Sequence, residues 1–299
     1  MKRALSLILV AAMLIAAIFT LSSCGKEESL NFGSDILTVG SQLEALQGLK
    51  KGDADIAVID SVMAGYYLND TDEFKDYEVL KNVAFTEEKY GIAAKKGNDA
   101  MISKINEALI ALADTDYKTI ADTYGLTSEL LITSSTQNPL ADADDGSWDK
   151  IVNDKKIVIG YTLFAPIAYN KGDGADQELI GFDIELAKAC IRYLNATYST
   201  EIAEPEFIVI DWNQKESLLE TGSIDLVWNG MTITPAREEG MSVSLPYLAN
   251  KQVAIIAKAD ADKFACDSYE EFVSKASDAI VIVEKGSAGE GVVVPAEEE

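Results

Sequence analysis

The sequence contains no histidine among its 299 residues. Imidazole is the side chain that most often acts as a general base near neutral pH, and it is a frequent metal ligand, so histidine-based catalytic triads and histidine metal sites are excluded. The sequence also has no phosphate-binding P-loop motif and no cluster with metal-ligand spacing, so we expect no cofactor. These absences favour a non-catalytic protein over an enzyme.

Basic residues are scarce as well. Lysine and arginine together number 25, against 50 aspartates and glutamates, which gives a formal net charge of −25. Contacts to phosphate need clustered lysine and arginine, so this charge argues strongly against nucleic acid or anionic lipid as a partner. Apolar residues make up 48% of the chain. That content and the length allow one large globular domain or two ordinary ones.

Cysteine occurs only three times. Cys190 lies on the apolar face of the helical pattern GFDIELAKACIRYLN, and we predict that it is buried in the core. Cys266 is far from it in sequence, and neither has metal-ligand spacing, so we expect no disulfide between them. The third, Cys24, ends an N-terminal apolar segment.

That N-terminal segment carries Lys2 and Arg3, then a nearly uninterrupted apolar stretch, then LSSC. LSSC resembles the bacterial lipoprotein box, so we interpret residues 1–24 as an export signal with lipidation at Cys24. The alternative is a retained transmembrane anchor, since the run from Ala4 is nearly long enough to span a bilayer.

In either case the folded part is expected outside the cytoplasmic membrane, held by a polar tether at residues 25–35. Removal of the signal would take away two basic residues and no acidic ones, which changes the formal charge from −25 to −27.

Beyond the tether, apolar strand patterns alternate with amphipathic helix patterns, which predicts an α/β fold with mainly parallel sheets. Residues 127–147, TSELLITSSTQNPLADADDGS, interrupt this alternation. They are rich in serine, threonine and aspartate and show no sustained period, so we predict a linker. The alternation restarts at WDKIVNDKKIVIGYT, which is typical of the opening of a domain.

Two segments share one pattern. LQGLKKGDADIAVID and LLETGSIDLVWNG each contain a leucine-bearing helix, a glycine at its end, an aspartate, and an apolar strand that ends in polar residues. Ligands bind at the carboxyl ends of strands in parallel α/β sheets. The sequence therefore predicts two lobes that face each other across a cleft.

GMTITPAR followed by SLPY, within 230–247, is a specific motif, and KGDADIAVID is a moderately specific one. These and several other stretches resemble the type II periplasmic substrate-binding proteins of ABC importers, in particular the polar amino-acid branch. The resemblance implies a two-lobed α/β fold that closes around a ligand. It extends over IVIGYTLFAPIAY at 157–169, GFDIELAKA at 181–189, DWNQKESLLETGSIDLVWNGMTITPAREEGMSVSLPY at 211–247, VIVEKGSAGE at 281–290 and LKKGDADIAVIDSVMAGYYL at 49–68.

These segments occur in a different order from that of the family, which implies a circular permutation. The family's N-terminal half follows the linker, and the last strand–glycine loop–helix unit finds its other half near residues 33–68. Joining residue 299 to about residue 30 would restore the usual order. The alternative is a truncated fusion of two tandem binding proteins. The implied division is 36–88 in the second lobe, 89–126 returning to the first, the linker, 148–251 in the first lobe and 252–299 in the second.

The resemblance implies a site for a free amino acid. Arg237 would bind the carboxylate and Asp60 the ammonium group. Each has an alternative: Arg237 could pair at the surface with Glu238 or Glu239, and Asp60 could cap the helix that follows it. The remaining implied contacts are the Gly230 carbonyl, Thr232, Ser287 and Ala288 around the ligand backbone, and the aromatic rings of Phe164 and Trp212 around its side chain.

Some of these positions have simpler explanations. Thr232 could be present only because threonine favours strands, and the two rings could belong to the core. Tyr161, Ala168 and Glu284 differ from the residues that some family members carry there, so the ligand's side chain stays open.

The implied function is capture of an amino acid by a monomer whose lobes close about a hinge near 249–256 and 86–93, followed by delivery to an ABC permease. Competing hypotheses are an enzyme on the same fold, such as an arogenate or prephenate dehydratase-like protein, and a sensory module without transport.

Overall fold

The computed structural model describes residues 30–69, 71–83, 85–172 and 177–295. The predicted signal, Cys24 and the start of the tether lie outside these ranges. Within them, no helix combines the length and the apolar character that crossing a bilayer requires.

Strands and helices alternate along most of the chain, as the sequence predicts. The strands are β1 (Asp35–Val39), β2 (Ile56–Asp60), β3 (Tyr77–Val79), β4 (Glu87–Lys95), β5 (Val158–Tyr161), β6 (Tyr169–Lys171), β7 (Glu178–Ile180), β8 (Glu206–Val209), β9 (Leu226–Thr232), β10 (Met241–Val243), β11 (Leu248–Ala257) and β12 (Ile280–Glu284). The helices are α1 (Gln42–Lys51), α2 (Ser61–Asn69), α3 (Asp99–Ala111), α4 (Asp116–Thr123), α5 (Ser147–Asp154), α6 (Phe182–Tyr198), α7 (Lys215–Thr221), α8 (Pro235–Gly240), α9 (Ala261–Phe264), α10 (Tyr269–Lys275) and α11 (Ala288–Val293).

The large sheet has two halves that share one strand. Its strand order is β1-β12-β2-β11-β4-β9-β5-β8, with β3 beside β11 and β10 beside β4. Residues 248–251 of β11 pair with β4 in the first half, and residues 252–255 pair with β2 in the second. The prediction of mainly parallel sheets is wrong for the centre, where β4 and β11 run antiparallel to their neighbours because they connect the two halves.

Early and late parts of the chain meet in the second half of the sheet. β1 pairs in parallel with β12, with Asp35 opposite Ile280 and Val39 opposite Glu284. β12 also pairs in parallel with β2. Helix α1 packs tightly on this group, since a Cβ at Gly48 would lie 2.5 Å from Cδ1 of Ile282. The last strand–loop–helix unit therefore has its partner at the front of the chain, as predicted.

The two segments that share one sequence pattern form the same local structure. Gly52 caps the C-terminal end of α1 and Gly222 that of α7, both in the left-handed conformation that glycine adopts without strain. The aspartate of each segment then bonds to a neighbouring strand: Asp55 Oδ2 accepts from Ile280 N at 2.9 Å, and Asp225 Oδ2 accepts from Val158 N at 2.9 Å. The shared pattern thus builds one equivalent helix–strand unit in each half.

The predicted linker contains turns and a short 3₁₀ segment. It lies against α3, where Asn138 Nδ2 donates to Ser103 O at 3.0 Å and Asp145 Oδ2 accepts from Ala100 N at 2.7 Å. Cys190 is completely buried, as predicted, and its thiol and that of Cys266 are free. The lobe boundaries themselves stay a prediction.

Candidate functional site

Polar side chains gather where strands of the two halves end. Asp60 ends β2, Glu284 ends β12 and Thr232 ends β9. Strand ends of this kind are the usual position of ligands in α/β sheets. All three residues are buried.

Arg237 connects the two halves of the sheet. Helix α8 presents it after a Thr234 cap, whose hydroxyl accepts from Arg237 N at 3.3 Å. Its Nη1 donates to Thr232 O at 2.7 Å, and its Nη2 donates to Gly286 O at 3.0 Å. Because these donors bond to carbonyl groups rather than to Glu238, the surface ion pair that the sequence allowed for Arg237 does not form. Burial lowers the pKa of Arg237, and nearby carboxylates oppose that shift.

The Asp60 carboxylate is surrounded by side-chain amides. It accepts hydrogen bonds from Gln42 Nε2 and Asn250 Nδ2, and from Gln252 Nε2 at 2.7 Å. Asn250 Oδ1 instead faces the start of α2, accepting from Ser61 Oγ at 3.1 Å. Loss of hydration raises the pKa of Asp60 to about 7, with a further contribution from the charge of Glu88, while the amides lower it.

Glu88, on β4, joins Asp60 to the first half of the sheet. Its Oε2 accepts from Gln252 Nε2 at 2.9 Å and from Thr232 Oγ1 at 3.0 Å. Since Arg237 also bonds to Thr232, a continuous chain of hydrogen bonds runs from Asp60 to Arg237. Thr232 has a polar role in this chain beyond favouring a strand.

Lys215 is a buried cation that the sequence analysis did not identify. Its side chain is 3% exposed. Nζ donates to Trp212 O and Gly286 O, both at 3.2 Å, and lies 5.0 Å from the centroid of the Trp212 ring. Burial and the nearby charge of Arg237 lower its pKa. Its helical position, between a 3₁₀ turn and a leucine pair, gives no sequence signal of burial beside the loop at 286.

Glu284 has the most unusual environment in the group. It is 4% exposed, and its Oε1 has no hydrogen-bond partner among the described residues. Loss of hydration raises its pKa to about 8, the charge of Asp60 adds to the shift, and the Gln42 amide, Lys215 and Arg237 oppose it. We call Asp60, Glu88, Lys215, Arg237 and Glu284 the charged cluster.

Gly230 and Phe164 form a close pair in the first half. Gly230 has φ +61°, and a Cβ there would lie 2.7 Å from Cε1 of Phe164. Its N–H donates to Asp183 Oδ2 at 2.8 Å, and Tyr247 Oη donates to the same oxygen at 2.7 Å. Asp183, which sequence analysis missed, therefore fixes the backbone at Gly230. Burial raises the pKa of Asp183 to about 7, and both donors oppose the shift.

The glycine loop of the second half approaches the first half at Asn213, the residue after Trp212. Gly286 has φ +71°, and a Cβ there would lie 3.1 Å from Asn213 Cα. Ser287 Oγ accepts from Glu290 N at 3.2 Å, which makes Ser287 the cap of α11, and Ser287 N donates to Glu284 O at 3.3 Å. Ala288 is the first residue of that helix.

The structure thus groups most of the predicted residues around one region between the halves. Asp60 and Arg237 are connected through the charged cluster, and Thr232, Gly286 and Trp212 contact its members. Phe164 and Trp212 are both buried, which is compatible with either core or pocket roles. The ligand roles of all eight residues stay predictions.

Comparisons with known proteins find similar sequences over part of the chain. Residues 157–289 match the family model of bacterial extracellular solute-binding proteins, family 3. Over 108 residues, the chain is 34% identical to the arginine-binding extracellular protein ArtP of Bacillus subtilis (strain 168), covering 36% of this chain and 37% of ArtP. Over 94 residues, it is 36% identical to the ABC transporter arginine-binding protein 1 of Escherichia coli (strain K12), covering 31% of this chain and 35% of that protein.

A solved structure also matches in part. It is an ABC uptake transporter substrate-binding protein from Streptococcus pneumoniae with bound histidine, 32% identical, covering 31% of this chain and 34% of that chain, with a TM-score of 0.25. The chain spans little more than a third of the length of the two curated relatives named above. By this match, residues 157–289 are similar to the bacterial extracellular solute-binding proteins, family 3.

Proposed function

We propose that the protein is a non-catalytic, extracytoplasmic solute-binding lipoprotein that captures a free L-α-amino acid between two closing lobes and delivers it to an ABC importer. The lobes are the two halves of the sheet with their helices. The family match supports the solute-binding role, and the two curated relatives are named as arginine-binding proteins.

The observation that carries the proposal is the position of Arg237. Its guanidinium lies between a carbonyl of the first half and the Gly286 carbonyl of the second. Guanidinium binds carboxylate through two parallel hydrogen bonds, and Asp60 supplies an acceptor for an ammonium group at the other end of the charged cluster. A zwitterion that contacts both groups stabilises the closed arrangement, because an open one separates them.

The segment order supports a circular permutation relative to the family. The family match runs from β5 to the glycine loop at 286–289, and the strand that pairs with β12 lies at the front of the chain. Cys24 would anchor the protein to the membrane, and a monomer would be sufficient because both half-sites lie on one chain.

Binding of the twenty amino acids to the full-length chain in mild detergent tests this function. A thermal-shift screen identifies the ligand, and calorimetry measures its affinity. We expect Arg237→Ala to weaken binding at least about thirtyfold, since it removes one partner of a buried charged contact.

Arg192→Ala is the matched control, because Arg192 is exposed on α6 and its loss should leave affinity unchanged. An Arg237→Ala protein that is folded and binds as tightly as the wild type contradicts the site assignment. A wild-type protein that binds none of the twenty amino acids contradicts the function.

A further inference from the structure

A cavity of about 670 Å³ lies outside the charged cluster. It is lined by helix α2, the end of α4 and the paired strands β6 and β7, and three tyrosines form part of its wall: Tyr66, Tyr124 and Tyr169. None of the charged-cluster residues lies in its described wall. Small-molecule sites typically have volumes of about 300–1,000 Å³. The cavity, which we call the tyrosine cavity, therefore has room for a small ligand.

The three rings form adjoining walls rather than a stack. The ring centroids of Tyr66 and Tyr169 lie 5.4 Å apart with planes at 48°, and those of Tyr124 and Tyr169 lie 6.4 Å apart with planes at 87°. All three side chains are half-buried. The Tyr124 hydroxyl is already bonded, donating to Glu185 Oε1 and accepting from Gly181 N at 3.1 Å. What these side chains offer a ligand is therefore mainly aromatic surface.

The wall of the tyrosine cavity also carries a negative excess. Three carboxylates line it together with one cation, namely Asp122, Glu178 and Glu185 with Lys171. Aromatic faces attract positive charge at short range, and carboxylates around a cavity attract it over a longer range. Both features favour a cationic ligand.

The chemistry of the wall selects an organic cation over a metal ion. Among the residues that the structure describes, no three acidic or cysteine side chains are placed to hold a metal ion together. Aromatic rings are the usual binding surface for a quaternary ammonium, whose charge is spread over alkyl groups. A free amino acid is disfavoured, because its carboxylate would face the three carboxylates of the wall.

The rings belong to opposite halves of the sheet. Tyr66 stands on α2, which packs against β2 of the second half. Tyr124 bonds to Glu185 of α6, which packs against β9 of the first half. A ligand held between these rings therefore contacts both halves.

We propose that the tyrosine cavity binds a small quaternary ammonium ion, through cation–π contacts with its three rings and attraction to Glu185, and that this ion bridges the two halves. The site is separate from the proposed amino-acid site, and its occupation does not depend on that function.

Choline and its uncharged isostere 3,3-dimethyl-1-butanol test the site by calorimetry on the full-length chain in a non-ionic detergent at constant ionic strength. We expect choline to bind at least about tenfold more tightly than the alcohol, the combined effect of contacts with more than one ring. Phosphocholine should bind more weakly than choline, because the carboxylates of the wall oppose its phosphate. Tighter binding of phosphocholine would identify a lipid headgroup rather than a free cation as the ligand and would overturn the proposal.

Variants locate the bound ion. Tyr169→Leu and Tyr66→Leu should each weaken choline binding about fivefold or more, since each removes one ring, whereas Tyr169→Phe keeps the ring and should retain the affinity. Glu185→Gln should also weaken binding, because it removes a negative charge from the wall. Tyr198→Leu is the matched control: this ring is exposed at the end of α6 and lies outside the cavity wall, so the affinity should be unchanged.

The outcomes separate this site from the amino-acid function. The inference is wrong if choline does not bind, if the alcohol binds as tightly, or if a folded Tyr169→Leu protein keeps the wild-type affinity. A folded Tyr66→Leu protein with unchanged affinity would contradict the bridge between the halves. Displacement of choline by a saturating amino acid would place choline in the amino-acid site and also contradict the inference. If no amino acid binds, the proposed function fails, and the choline measurement is unaffected.

Discussion

Nζ of Lys215 lies 3.2 Å from the carbonyl oxygen of Gly286, which belongs to the opposite half of the sheet. Arg237 donates to the same oxygen. Two cations of the first half thus hold one carbonyl of the second. These contacts involve protein groups alone, so the contact between the two halves does not depend on a ligand.

Lys215→Met should weaken closure while preserving the buried stem of the side chain. We expect ligand dissociation to accelerate about tenfold or more, because a hydrogen bond from a charged donor typically contributes about 1.5–3 kcal/mol. Stopped-flow displacement of bound ligand measures this rate. Lys285→Met changes an exposed lysine next to the same glycine and should leave the rate unchanged. Equal rates for wild type and Lys215→Met would show that the contact does not stabilise the closed state.

Stability of the ligand-free protein should fall as the pH rises. Asp60 and Glu284 have folded-state pKa values of about 7 and 8, above their ordinary values of 3.8 and 4.5. Such groups contribute stability that is fully present below the lower values and is lost as the pH rises through the higher ones. Asp183, with a pKa of about 7, acts in the same direction.

Urea denaturation at pH 5.5 and pH 8.5 measures this loss. Glu284→Gln should reduce the difference between the two free energies of unfolding, because glutamine does not ionise. Glu204→Gln should leave the difference as it is in the wild type. A variant at 284 with the full wild-type pH dependence would show that Glu284 does not titrate in this range.

Gly230→Ala should destabilise the first half of the sheet. A Cβ at this position meets the Phe164 ring at 2.7 Å in a backbone conformation with φ +61°, and the strain should cost about 1–3 kcal/mol. Thermal unfolding measures the loss. Gly65→Ala is the matched control, since a Cβ there meets nothing within 4 Å and the site is helical. That control should be neutral or slightly stabilising. A Gly230→Ala protein as stable as the control would contradict the predicted strain.

Asp55→Ala and Asp225→Ala should have similar effects. Each removes an acceptor for the first backbone N–H of an adjacent strand, at Ile280 and Val158 respectively. We expect each to lower the free energy of unfolding by about 1–3 kcal/mol, the cost of an unsatisfied backbone donor. Asp53→Ala, at an exposed position, serves as the control. A large loss in one variant and none in the other would show that the two units are not equivalent.

The periodic part of the fold was predictable from the sequence. The alternation of strands and helices, the glycine ends of α1 and α7 and the burial of Cys190 all follow from local patterns, and the structure confirms them. The direction of β4 and β11 was not predictable in this way. Strand direction depends on which half a segment joins, and a local pattern contains no such information.

The residues of the charged cluster also divide into those that the sequence predicts and those that it does not. Asp60 and Arg237 stand in recognisable motifs at element ends. Lys215 and Glu88 lie in an ordinary amphipathic helix and at the polar start of a strand. The burial of Lys215 and the contacts of both residues arise from tertiary packing against segments far away in sequence, such as the loop at 286 for Lys215.

The pairing of β1 with β12 joins residues that are 245 positions apart in the sequence. A ribosome therefore releases β1 and β2 long before the strand that belongs between them. During that interval the second half of the sheet has exposed strand edges, which are prone to pair with other chains. Folding of this half has to wait until β12 has been synthesised, and we expect it to be the slower of the two halves to reach its native contacts.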